Sequence, residues 1–104
     1  MVLTVGCAES AQDRQGKIAL LWSADEFVRE YSTAEIREHI ANGKIVVGMN
    51  VMEVHAALRR LPSQLYKWED PFGTRAKHVY GFSPDSPDRM YLYFRNDILI
   101  RWQR

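Results

Sequence analysis

The chain has one cysteine, Cys7, among its 104 residues. An intramolecular disulfide is therefore excluded, as is a metal site built from several cysteines. No apolar run approaches the ~20 residues that a helix needs to span a bilayer. There is no Gly-x-Gly-x-x-Gly and no phosphate-loop signature, which removes the usual dinucleotide and nucleoside-triphosphate readings. Charge of one sign is also lacking: fourteen Lys and Arg stand against thirteen Asp and Glu, a formal net charge of +1. That balance provides no strong field for steering polyphosphates. The basic residues are spread along the chain and the aromatics alternate as in strands, so nucleic acid is not the expected partner.

What is present is the material of a folded domain. Hydrophobic residues make up 46% of the chain, aromatic residues 12% and charged residues 26%, and the length suits one domain with one modest core. Residues 1–17 differ from the rest. Met1 to Cys7 reads Met-Val-Leu-Thr-Val-Gly-Cys, and the polar stretch Glu9 to Lys17 follows. This segment resembles the end of a bacterial lipoprotein signal peptide, although Thr4 stands where such signals usually carry Leu. The resemblance implies removal of residues 1–6 and lipid on Cys7, and Ala8 suits outer-membrane sorting. The other reading is a frayed terminus with an ordinary free thiol. Residues 8–17 bury too little to order themselves and are expected to be a flexible tether. The expected organisation is a leader over 1–17 and a single α+β domain over 18–104.

Within that domain, Ser23 and Glu26 form a capping-box pair that predicts a short helix ending at Tyr31. Ser32 and Glu35 form a second, opening a helix with Ile36 and Ile40 on one face and the Asn42-Gly43 stop. Asn50 with Glu53 predicts a third, running to about Arg60. Its apolar positions Val51, Val54, Ala57, Leu58 and Leu61 recur every three or four residues, as on a helix lying on a core. Pro62 ends it.

Beyond Pro62 the apolar period changes from 3.6 to 2, the mark of an antiparallel sheet. Strands are expected over Leu65–Trp68, His78–Phe82, Met90–Phe94 and Ile98–Trp102, with the first pairing least well. For the last hairpin, a plain two-residue loop would set Phe94 opposite Leu99 but Leu92 opposite Arg101, mixing faces. A three-residue loop, Arg95 to Asp97, pairs Phe94 with Ile98, Leu92 with Ile100 and Met90 with Trp102, making one face wholly apolar. That loop is the expectation, with Asn96 or Asp97 left-handed.

Catalytic chemistry finds no foothold. His39, His55 and His78 lack the spacing of a helical two-histidine metal site, and each reads as a surface or half-buried residue. Cys7 lies in the leader, where nothing rigid could hold a base beside it. The acidic pairs Asp25-Glu26 and Glu69-Asp70 suit a helix first turn and a turn respectively. No enzyme activity, metal or cofactor is expected.

The order of helices followed by strands, with Gly48-Met49-Asn50, Glu53-Val54, Ala57-Leu58, Pro62 and the hairpin Tyr91 to Trp102, resembles the BamE (SmpA/OmlA) family of small outer-membrane lipoproteins. The resemblance covers residues 33–104. Arg59-Arg60-Leu61 departs from it, since the family carries Gly at the end of that helix. It implies two to three helices on a three- to four-stranded antiparallel sheet, a location at the outer membrane facing the periplasm, and a protein partner, such as an envelope assembly protein, or a lipid head group.

Tyr91 and Tyr93 alternate out of phase with Leu92 and Phe94, which puts them on the sheet face away from the helices. With Arg95, Arg101, Trp68, Tyr66 and Tyr80 they form the expected partner-binding surface, tyrosine being a favourable amphipathic contact residue. The alternative is a soluble, cytoplasmic or secreted interaction or inhibitor module of the same fold, without lipid.

Overall fold

The structure, a computed structural model, describes residues 11–81 and 83–104. It is α+β: helices α1 (Ala11–Tyr31), α2 (Ala34–Ala41) and α3 (Val51–Leu58) precede strands β1 (Gln64–Asp70), β2 (Gly73–Tyr80), β3 (Met90–Arg95) and β4 (Ile98–Gln103). The strands form an antiparallel meander in the order β1-β2-β3-β4.

Two helix starts differ from expectation. α1 begins at Ala11, inside the segment read as a tether. Once the turns ending at Tyr31 are nucleated, adding residues costs little, and Gln12, Arg14, Gln15 and Lys17 are good helix formers. Ser23 then lies mid-helix and caps nothing. α2 is capped by Thr33, whose Oγ1 accepts the Ile36 N–H at 3.2 Å, rather than by Ser32. Ser32 is buried and its hydroxyl donates to Glu53 Oε2 instead.

α3 starts as its sequence dictates. The Glu53 N–H donates to Asn50 Oδ1 at 2.9 Å and the Asn50 N–H donates to Glu53 Oε1 at 3.0 Å, a complete capping box. It stops at Leu58, two residues early, because Arg59 turns left-handed (φ 57°) where the resembled family has glycine. Arg59 also pairs with Asp25 of α1 at 2.7 Å.

α3 is the middle layer. Val54 and Ala57 join Ile45, Met49, Ala76, Tyr80, Met90, Leu92, Phe94 and Leu99 in the main core. On its other side, Ala56 packs against Ala24 and Val28 of α1. Among the described residues the helices lie on one sheet face only and leave the other uncovered by them. Truncation of a buried aromatic such as Phe94 to alanine costs about 3–5 kcal/mol in such a core.

The β3–β4 hairpin corrects the expected register. Arg95 pairs with Ile98 and Phe94 with Leu99 across a two-residue loop, Asn96-Asp97, in which both residues have positive φ (49° and 67°). This is the loop that suits right-twisted strands. A bulge then shifts the register, so that Tyr93 faces Arg101 and Leu92 faces Trp102. The extra residue, Ile100, resolves the mixing of faces that a plain two-residue loop would cause. Ile98 and Ile100 remain exposed and Leu99 is the buried residue of β4.

The free edge of β4 is covered by the connector before α3: the Gly48 N–H donates to Leu99 O at 2.9 Å and the Leu99 N–H to Met49 O at 2.7 Å. β1, expected to pair poorly, pairs with β2 along its whole length and forms the other edge of the sheet.

Candidate functional site

Strand register aligns the outer face in rows. One row reads Tyr66, Lys77, Tyr93, Arg101 across the four strands; its neighbours read Trp68, Arg75, Arg95, Ile98 and Gln64, Val79, Tyr91, Gln103. Period-2 alternation puts these side chains opposite the helices. Trp68 and Tyr66 are 47% and 49% exposed.

The cations on this face lie over the rings. Arg101 sits 4.1 Å from the Tyr93 ring centroid. Lys77 is 5.1 Å from Tyr91 and 6.0 Å from both Tyr66 and Tyr93. Arg89 stands 5.3 Å from the Tyr91 ring, donating from Nε to the Tyr91 hydroxyl at 3.1 Å. Arg95 reaches Phe72 at 6.0 Å, and Arg75 pairs with Asp70 at 2.9 Å. Such geometry holds the charges at defined places on an otherwise flexible set of side chains.

Of the residues named from sequence, Tyr91, Tyr93, Arg95, Arg101 and Trp68 come together here, with Tyr66. Tyr80 does not. It is 1% exposed, on the helix side of β2, in the core. Its place in the alternation Ala76-His78-Tyr80 decides this, since these three share the face opposite Lys77 and Val79. Burial pushes its phenol pKa up, and the Arg60 guanidinium lies 5.1 Å from its ring. Cys7 lies outside the described residues. Lys77, central to the face, carries no sequence motif and is placed only by its pairing with Tyr66 and Tyr93.

The histidines also depart from expectation. His39 is half-buried, but His55 and His78 are buried, with ring centroids 6.3 Å apart and near-parallel planes. His78 also lies 4.4 Å from the Phe94 ring. Both nitrogens of His55 and Nδ1 of His78 have no hydrogen-bond partner among the described residues. Burial lowers the pKa of both. For His78 the neighbouring His55 and Lys67 add to that effect, outweighing Asp97, and bring it to about 4. The two rings line a pocket of about 310 Å³ between α3 and β1, walled by Leu20, Val51, Leu61, Pro62 and Leu65, with Lys67 and Asp97 as its charged members. Among the described residues no group of three or more His, Cys, Asp and Glu could hold a metal ion.

The pocket could have been suspected from sequence only by noticing that His55 follows Val51 by four residues and that His78 is in phase with Ala76. No family model, curated protein or solved structure matches this chain.

Proposed function

We propose that this domain is a non-enzymatic binding module of the cell envelope, whose helix-free sheet face docks an acidic surface of a protein partner. The observation that carries the reading is the charge and shape of that face. Lys77, Arg75, Arg95 and Arg101, with Arg89 beside them, stand among Tyr66, Trp68, Tyr91 and Tyr93; these rows hold no carboxylate, and Asp70, at the end of β1 beyond them, pairs with Arg75. Tyrosine, tryptophan and arginine are the residues that dominate binding energy at protein interfaces. A single-stranded nucleic acid would need free ring faces for stacking. Here Lys77 and Arg101 already occupy the faces of three tyrosines, which favours protein. The resemblance to the BamE family supports an envelope location, with lipid on Cys7 as the anchor.

Site-directed photocrosslinking in the native organism tests this. A crosslinker at Ile98 is expected to capture one discrete protein, insensitive to nuclease, while the same crosslinker at Glu38 on α2 captures none. Tyr91→Ala with Tyr93→Ala should abolish the product. Equal capture from both sides, or a nuclease-sensitive product, would refute the reading. Intact mass of the native protein addresses the anchor separately: a diacylglyceryl-cysteine terminus supports the envelope placement, and an unmodified chain from Met1 favours a soluble interaction module.

A further inference from the structure

The pocket between α3 and β1 is on the opposite side of the sheet from the tyrosine face, and the proposed docking does not use it. Its walls are aliphatic: Leu20, Val51, Leu61, Pro62 and Leu65. The polar groups in it are few and convergent. His55 and His78 are more than nine-tenths buried, yet three of their four ring nitrogens find no protein partner among the described residues. Buried polar groups without partners are uncommon and costly, about 1–3 kcal/mol each, so they point to something that completes them. Apolar walls with a few directed polar groups are the usual make-up of a small-molecule site.

We propose that this pocket binds a small monocarboxylate with an aliphatic body, its carboxylate held by Lys67 and the imidazole N–H groups of His55 and His78. The size class follows from the volume: about 310 Å³ lies at the small end of the range of ligand pockets, which suits a short aliphatic acid, and octanoate serves as the probe. The position of the head group follows from strand register: Leu65 lies opposite His78 and Lys67 opposite Ala76, so Lys67 is the diagonal neighbour of His78 on the helix side of the sheet and brings a cation to the pocket lining beside it. Neutral imidazoles each offer one N–H donor, and an anion there would satisfy donors that are otherwise unpaired. A metal ion is a poorer fit, because the two imidazoles have no third ligand beside them among the described residues.

The test is titration of the full chain with octanoate, octan-1-ol and octylamine at neutral pH, followed by the imidazole resonances in NMR. Octanoate is expected to shift His55 and His78 saturably, with an affinity at least about tenfold above octan-1-ol, the difference that a charge-assisted hydrogen bond supplies. Lys67→Gln, a change at an exposed position, should remove that preference and leave octan-1-ol binding unchanged. Octanoate should also raise the His78 pKa, which apolar binding alone would not do. Tyr93→Ala should leave all of this intact. The proposal is overturned if octanoate moves neither imidazole at about 1 mM, the weak end of small-ligand affinity. It is overturned equally if octylamine binds better, or if Lys67→Gln binds octanoate as well as the parent does.

Discussion

Arg101 on β4 lies directly opposite Tyr93 on β3, with its guanidinium 4.1 Å from the ring centroid. The bulge after Leu99 makes this pair, because without the extra residue Arg101 would stand across from Leu92 on the helix side. A double-mutant cycle with Arg101→Ala and Tyr93→Leu should return a coupling of about 0.5–1 kcal/mol in urea denaturation, as expected for an exposed cation–π pair. A coupling near zero would mean that the two side chains do not hold one another in solution.

Glu53 joins three segments: its carboxylate accepts from the Ser32 hydroxyl and from the Asn50 N–H, while its own N–H donates to Asn50. Glu53→Ala leaves a buried hydroxyl and a helix-start N–H without their partner. The expected loss is about 2 kcal/mol of unfolding free energy. Glu53→Gln, which can still accept from Asn50, should lose less, and equal losses in the two variants would show that the Asn50 bond contributes nothing.

Acid should weaken the fold through the buried histidines. The folded-state pKa of His78 is depressed to about 4 and that of His55 is also lowered, against about 6.5 in an unfolded chain. Between those values the unfolded chain binds protons that the folded one does not, so stability falls as pH drops from 6.5 towards 4 and is constant above that window. For His78 the full effect is about 3 kcal/mol. Denaturation midpoints at pH 7 and pH 4.5 should differ accordingly, and His78→Phe should shrink the difference. An unchanged slope in that variant would place the acid sensitivity elsewhere.

Gly73 begins β2 at φ 130°, and a β-carbon there would collide with the Asn96 side chain. Asn96 Oδ1 accepts the Thr74 N–H at 3.0 Å, tying the β3–β4 turn to β2. Gly73→Ala should therefore cost about 1–3 kcal/mol from backbone strain and the displaced amide. The Thr74 amide should exchange faster with solvent, and unaltered exchange would contradict the link.

Local chemistry was the part of the fold that could be read directly. The Asn50–Glu53 capping box, the α3 stripe of Val51, Val54 and Leu58, the Asn42-Gly43 stop and the existence of four strands all depend on residues within a few positions of one another. The expectations that failed depended on distant partners. Ser32 yields the α2 cap to Thr33 because Glu53, twenty-one positions away, takes its hydroxyl. Ser23 is no cap because α1 continues through it. The hairpin register turned on whether Ile100 would be bulged, which the alternation of β3 and β4 does not encode by itself.

The candidate sites divide in the same way. Tyr91 and Tyr93 could be assigned to the outer face from period-2 alternation alone, since successive strand residues must point to opposite sides. The sequence by itself thus determined the start of α3, the placement of Tyr91 and Tyr93 on the outer face, and the absence of an intramolecular disulfide. Only the tertiary structure decided that Tyr80 enters the core, that Lys77 sits among three tyrosines, and that His55 and His78 meet across a pocket. Strand pairing and helix docking bring together residues far apart in the chain, and their contacts arise from burial and register rather than from any local pattern.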